Sequence, residues 1–209
     1  MRVVILSPYA GHLIPTITAV GDTYEVFRSD PETFPVCDII VSFGYKHLIK
    51  EPILSIYKDR IFNIHISILP WNRGADPNFW SWFDDTPKGV SIHKIDSGID
   101  TGEVVVQENV VFAYEGIQTL FSSWSYLIAR ATSLFDSSWG LLRYGNVPSR
   151  KQSGLGTYHR MSDKDKWFNL LFDGWNSPVS EVQRMGDKWR NREATKAIDT
   201  PQSDVGRDA

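Results

Sequence analysis

Apolar positions gather along the first half of the chain into short, nearly unbroken runs at Arg2–Leu6, Asp38–Ser42 and Ile61–Ile66, with another at Val90–Lys94. Runs of this length, rich in Val and Ile, predict strands covered on both faces, as in a parallel sheet between helices. The intervening stretches are long enough for crossovers. The clearest is Ile49 to Arg60, where Ile53, Leu54, Ile56 and Tyr57 predict a helix. Glu103–Val106 predicts one more strand. From Ile117 to Tyr144, Leu120, Trp124, Leu127, Ala131, Leu134 and Phe135 recur at helical spacing until Gly145-Asn146-Val147-Pro148, predicting the longest helix and its stop. The pattern is an open α/β sheet.

Beyond Pro148 the periodicity weakens. Ser149–Gly156 reads as a polar linker, Asp163–Phe172 as one short helix, and the stretch from about Asn191 as a mobile tail almost without large apolar residues. The expected organisation is therefore one core domain over residues 1–148, a small C-terminal extension over 149–190 and a flexible tail over 191–209.

Composition narrows the class. A chain of 209 residues suffices for one main domain, and 42% hydrophobic with 22% charged residues is ordinary for a globular protein. Eight Trp and an aromatic share of 13% suit a compact fold with a ligand groove. A net charge of −3 offers no broad attraction to phosphate backbones, so a nucleic-acid partner is not expected. The basic residues Lys164, Lys166, Lys188, Arg190 and Arg192 alternate with acids and read as a solvated face. Cys37, the one cysteine, lies in the apolar stretch Val36–Val41 and reads as a buried structural thiol. The N-terminal apolar stretch is too short for a signal peptide, and no run of about 18 apolar residues occurs. The expectation is a soluble cytoplasmic protein with no membrane partner.

Two polar clusters interrupt this background. Asn63-Ile64-His65-Ile66-Ser67-Ile68-Leu69-Pro70 begins in a predicted strand and runs into the turn-rich Trp71-Asn72-Arg73-Gly74-Ala75-Asp76-Pro77. Side chains alternate along a strand, so Asn63 and His65 share a face. His93-Lys94-Ile95-Asp96-Ser97-Gly98-Ile99-Asp100-Thr101-Gly102 leaves a second strand through a glycine-punctuated loop and offers two carboxylates. A loop carboxylate facing a strand imidazole is a workable proton-transfer pair. Asp96, before Ser97-Gly98, also reads as a turn-former. No metal site is expected: the His and Asp spacing fits no zinc pattern and cysteine pairs are lacking.

On these residues the chain resembles the folate-dependent formyltransferases. Asn63-x-His65-x-Ser67-x-Leu69-Pro70 with Arg73-Gly74-Ala75 and Pro77 is similar to the family's first signature, and His93–Gly102 to its second. The resemblance covers roughly residues 1–145 and extends weakly to Tyr158-His159. It implies a twisted, Rossmann-like, mostly parallel sheet flanked by helices, with 10-formyltetrahydrofolate as formyl donor. It implies Asn63 as the amide donor to the reacting oxygen, Asp100 as the carboxylate that orients His65, and His65 as either proton acceptor or oxyanion donor. It implies folate contacts at Phe43, Gly44, Tyr45, Lys46, His47 and Leu48, with Ile95 and Asp96, where Gly44 would let a flat ring approach the backbone. The acceptor contacts implied are Tyr9, His12, Trp71, Arg73, Asp76 and Asn78.

Three amines compete as acceptor. Methionyl-tRNA formyltransferase carries a further domain of about a hundred residues, whereas only some sixty follow Pro148 here. Glycinamide ribonucleotide formyltransferase cradles phosphate in a glycine-rich loop after the first strand, and Ser7-Pro8-Tyr9-Ala10-Gly11-His12 lacks that run. The aromatic loop Leu69–Trp80 and Gly156-Thr157-Tyr158-His159-Arg160 look most like the compact nucleotide-sugar enzymes. A nucleotide-linked amino sugar is therefore the expected acceptor, with those leading to pseudaminic acid and related surface glycans among the candidates. The resemblance admits a homodimer. A noncatalytic folate-binding module is the alternative from another class.

Overall fold

The computed structural model describes residues 1–30, 34–113 and 118–199, with side chains through Thr195. Six strands form one sheet: β1 (Arg2–Leu6), β2 (Thr23–Phe27), β3 (Ile39–Phe43), β4 (Ile61–His65), β6 (Gly89–Lys94) and β7 (Val104–Asn109). Their order is β2-β1-β3-β4-β6-β7. The pairings from β2 through β4 are parallel, while β4–β6 and β6–β7 are antiparallel. The sheet is thus the expected mostly parallel α/β sheet. Strand β2 escapes the sequence pattern because Thr-Tyr-Glu-Val-Phe is an edge strand, half exposed and without a continuous apolar run.

The two sheet faces are covered unequally. Val3, Ile5, Val41, Phe62, Ile64 and Ile92 belong to the larger cluster, which includes Leu127, Ala131, Phe135 and Trp139 of α4 (Leu120–Leu142). Helix α4 starts where Thr119 and Ser122 form a reciprocal capping box, Ser122 N–H donating to Thr119 Oγ1 at 3.1 Å and Thr119 N–H to Ser122 Oγ at 2.9 Å. Ile117, where the sequence pattern placed the start, lies outside the described residues. Among the described residues the opposite face holds a smaller cluster of Val4, Leu6, Ile40, Tyr57 and Ile61, with partly buried neighbours such as Ile53 and Leu54. The helix expected over Ile49–Arg60 is a single turn, α2 (Ile53–Ile56), after Pro52. Cys37 precedes β3 and is half-buried, not enclosed in a strand, and Val36 beside it is 80% exposed. Burial still raises its thiol pKa.

The C-terminal segment is tied to the core. Arg150 exchanges two backbone hydrogen bonds of 2.8 Å with Val104. Strand β5 (Arg73–Gly74) pairs in parallel with β8 (Tyr158–His159), so the polar linker Ser149–Gly156 is strapped at both ends. Leu171, Val179 and Val182 join the larger hydrophobic cluster. The short helix expected over Asp163–Phe172 is reduced to α5 (Asp165–Phe168). Helix α6 (Val179–Asp199) packs on α3 (Pro77–Phe83) and continues past Asn191, where the tail was expected to begin; residues 200–209 lie outside the described residues.

Candidate active site

Strand alternation brings the two polar clusters together. Asn63 and His65 leave β4 on the face shared with Ile61, and Asn63 lies in register opposite His93 of β6. The loop between β6 and β7 folds back over this face and delivers Asp100, whose φ of +52° places it in the left-handed region. Asn63 Nδ2 donates to Asp100 Oδ1 at 3.0 Å, and Gly74 N–H donates to Oδ2 at 2.8 Å. His65 Nδ1 lies 3.7 Å from Oδ2 and His93 Nε2 lies 3.3 Å from Oδ1. All three side chains are largely withdrawn from solvent: His65 is 7% exposed, His93 2% and Asp100 12%.

The surrounding carbonyls fix the proton positions on both rings. A carbonyl only accepts, so His65 donates from Nε2 to the Asn72 carbonyl at 2.8 Å and presents Nδ1 to Asp100. His93 donates from Nδ1 to the Lys94 carbonyl at 2.7 Å and turns Nε2 toward Asn63 Nδ2, 3.2 Å away, and Asp100. Burial opposes ionisation of Asp100. The charge of His65, the hydrogen bond and charge of His93 and the Gly74 N–H outweigh it, holding the carboxyl well below the usual carboxylate range. The result is a buried carboxylate, fixed in its charged form, with an imidazole on either side.

This group lies in a cleft of about 1020 Å³ around the carboxyl ends of β1, β3 and β4, the position where open α/β sheets bind ligands. Phe43 through Leu48, Ile95 and Asp96 all line it, as do Tyr9, Asp76 and Asn78. Several are committed elsewhere. The Asp96 carboxylate accepts from Gly98 N–H and Thr101 Oγ1 and so closes its own loop. Asn78 is 2% exposed; its amide donates to the Leu120 carbonyl and accepts from Ser123 Oγ, fastening α3 to α4. Gly44 does admit a flat ring, but it is that of Tyr9, 2.5 Å from where a Cβ would stand.

Three expected contacts lie off the cleft lining. His12 is an exposed residue of the 3-10 turn that follows β1. Trp71 is half-buried in the turn after β4, its carbonyl accepting from Ser67 Oγ. Arg73 spends its guanidinium on Gln152 Oε1, with bonds of 3.0 and 2.9 Å.

Other residues emerge only in three dimensions. His93 was visible as the start of the second cluster, yet its contact with Asn63 depends on strand register. Tyr158, His159, Arg160, Lys164 and Trp175 form a cleft wall from the C-terminal segment. His159 stacks on Trp80 with centroids 3.8 Å apart and meets Asp84 at 2.8 Å. Lys164, expected on a solvated face, is only 13% exposed, pairs with Asp76 at 3.0 Å and lies 4.6 Å above the Trp175 ring. Charge alternation gave no sign of that burial.

With this geometry in view, known proteins give a consistent answer. The family model described as Formyl transferase matches residues 34–123, a span that contains Asn63, His65, His93 and Asp100. The formyltransferase PseJ from Anoxybacillus kamchatkensis, solved with UDP-4,6-dideoxy-4-formamido-L-AltNAc and tetrahydrofolate, is 36% identical. That match covers 88% of this chain and 100% of PseJ, with a TM-score of 0.82. An N-formyltransferase from Helicobacter canadensis, solved with folinic acid and dTDP-3-aminofucose, shares the fold at 16% identity and a TM-score of 0.66, covering 91% of this chain and 81% of that one. Methionyl-tRNA formyltransferase from Clostridium thermocellum shares it at 15% identity and 0.60, covering 85% and 86%. The fold alone therefore does not choose the acceptor, but identity along the whole of PseJ, with both polar clusters meeting in one cleft, places this chain in the family of folate-dependent formyltransferases.

Proposed function

We propose that the protein transfers the formyl group of 10-formyltetrahydrofolate to the primary amine of a nucleotide-linked amino sugar, a UDP-4-amino-4,6-dideoxy sugar whose formylated product would match the 4-formamido sugar bound to PseJ. The observation that carries this reading is the Asn63–His65–Asp100 group at the floor of the cleft, in a chain 36% identical to PseJ over its full length. A single small-molecule site spans about 300 to 1,000 Å³, and 1020 Å³ leaves room for donor and acceptor side by side. The apolar lining by Phe43, Leu48, Ile49, Leu54 and Ile95 suits a flat folate ring. The Tyr45 hydroxyl is committed to Asp30 at 2.6 Å, so that residue offers its ring.

Bound 10-formyltetrahydrofolate supplies the formyl carbon and departs as tetrahydrofolate. The new bond joins that carbon to the acceptor nitrogen while its bond to the folate nitrogen breaks, and one proton passes from the first nitrogen to the second. Once its Nδ1 proton has been released, His65 serves as the proton acceptor at that atom, directly or through water. As a cation it would direct both N–H groups at Asn72 O and Asp100, leaving none for the formyl oxygen. Asp100, already ionised, stabilises the imidazolium. Asn63 donates to the formyl oxygen with the amide hydrogen that it does not give to Asp100.

A cytoplasmic setting and a homodimer belong to the same reading, while the net charge of −3 supports a small-molecule over a nucleic-acid acceptor. The decisive assay follows release of tetrahydrofolate by the purified protein while UDP-, dTDP- and GDP-linked amino sugars, glycinamide ribonucleotide and methionyl-tRNA are offered in turn. Turnover with a UDP-linked 4-amino sugar alone is the expected result. Turnover with either of the last two substrates would overturn the acceptor, and folate binding with no turnover on any would favour a binding module.

A further inference from the structure

Asp100 holds a left-handed backbone conformation under a partly buried loop, and something must keep it there. The loop's own closure, through Asp96, Gly98 and Thr101, lies on its exposed side. On the inner side a single amide does the work. Gln152 Nε2 donates to the Asp100 carbonyl and to the Gly102 carbonyl, both at 2.8 Å, so its two hydrogens span the residue. Its Oε1 is gripped by Nε and Nη2 of Arg73, which sets which end of the amide faces the loop. The main chain around Gln152 is fixed as well: Arg150 bridges Val104, and β8 pairs with β5.

The same strap reaches the other half of the site. Thr157 Oγ1 accepts from Asn72 N–H at 2.8 Å and donates to Asn72 Oδ1 at 3.0 Å, while its carbonyl accepts from Arg73 N–H at 3.0 Å. Asn72 is the residue whose carbonyl holds His65 Nε2. Gly74, whose N–H meets the Asp100 carboxylate, lies against the strap so closely that a Cβ would stand 2.3 Å from the His159 carbonyl. Residues 150–159 thus touch the support of the carboxylate and the support of the imidazole.

We infer that Gln152 is a positioning residue for formyl transfer: by binding the Asp100 and Gly102 carbonyls it sets the carboxylate at its distance from His65 and His93, and Arg73 orients it for that role. This rests on Asp100 being the carboxylate of the reaction. It places a determinant of rate in the C-terminal extension, outside the span matched by the family model.

The test compares Gln152→Glu with Gln152→Ala. The first keeps size and the pairing with Arg73 but replaces both N–H donors by acceptors, so it should fold as wild type while repelling the two carbonyls. Expected for Gln152→Glu is a fall in kcat of roughly 10- to 100-fold, with KM for folate and amino sugar within about twofold and Tm little changed. Gln152→Ala should lie between it and wild type. Hydrogen exchange at the Gly74 amide, followed by NMR, should accelerate in Gln152→Glu, and this needs no knowledge of the acceptor. A kcat within twofold of wild type, or unchanged exchange at Gly74, would overturn the proposal even in an enzyme active on the amino sugar. Accelerated exchange in a protein that formylates no sugar would instead retain the positioning role and reject the acceptor.

Discussion

Asp22 and Asp100 are both largely withdrawn from solvent, and their partners differ in kind. Asp22, between α1 (Ile14–Ala19) and β2, has a side chain 1% exposed and receives the Met1 amino group at 2.7 Å, Arg143 Nε at 3.0 Å and Trp139 Nε1 at 3.2 Å. Asp100 receives an amide, a backbone N–H and two imidazoles. Both carboxyls are held below their ordinary pKa against the cost of burial, Asp22 chiefly by Arg143 and Asp100 chiefly by His65. The guanidinium keeps its proton at every physiological pH, whereas imidazole gains and loses one near neutrality. Asp22 joins the chain start to the end of α4 with fixed charge. Asp100 faces two imidazoles, in a cleft and on a left-handed backbone. Burial and a depressed pKa alone would not have told them apart.

The sharpest way to break this comparison is to neutralise each carboxylate. Asp100→Asn should lower kcat by roughly 100- to 10,000-fold, the usual worth of a positioned acid–base group, with folate binding retained by fluorescence titration. Its Tm should fall only slightly, because an asparagine amide there can still accept from Asn63 or from the Gly74 N–H. Asp22→Asn should do the reverse. It strands a guanidinium that cannot deprotonate, so thermal unfolding should shift down by roughly 5 to 10 °C, while kcat measured well below Tm stays within about twofold. A large kcat loss in Asp22→Asn, or a larger Tm loss in Asp100→Asn, would erase the distinction. Next in size is Asn63→Ala. If its amide meets charge on the formyl oxygen, kcat should drop by about 2.7 to 4 kcal/mol of barrier with KM for both substrates nearly constant. A rise in KM alone would make Asn63 a ground-state binding residue.

How much of this was legible beforehand depended on the distance a pattern had to span. Asn63 and His65 are two apart on a strand, so alternation alone put them on one face. Asp100 entered through its motif, and its left-handed φ then accounts for the aspartate there, a residue that tolerates this region. His93 needed the antiparallel register of β4 and β6, which no local pattern encodes. The Arg73–Gln152 clamp crosses 79 positions and Lys164–Asp76 joins the start of α3 to the turn before α5, so Arg73 and Asp76 read as acceptor contacts while their partners Gln152 and Lys164 read as linker and solvated face. Helix α6 is the opposite case: Val179, Val182 and Met185 already supply an apolar stripe at helical spacing. The polar composition after Asn191 masked it, because that stretch extends the helix through exposed turns.

The smallest expected effect is the pH dependence that both aspartates give to stability. A carboxyl whose folded pKa is depressed binds fewer protons than in the unfolded chain, where the value is about 3.9. Its contribution to stability is therefore complete above roughly pH 5 and is lost as pH falls toward the folded value. For Asp22 the Tm gap between wild type and Asp22→Asn should stay constant from about pH 6 to 8 and shrink below about pH 5. The smaller gap between wild type and Asp100→Asn should have the same sign of pH dependence, complete above about pH 5 and shrinking below it, because its carboxyl too is held below the ordinary value. Differential scanning fluorimetry of the three proteins from about pH 3 to 7 checks both. A gap that does not shrink below about pH 5 in either pair would mean that the carboxylate in question is not held in its charged form by its partners.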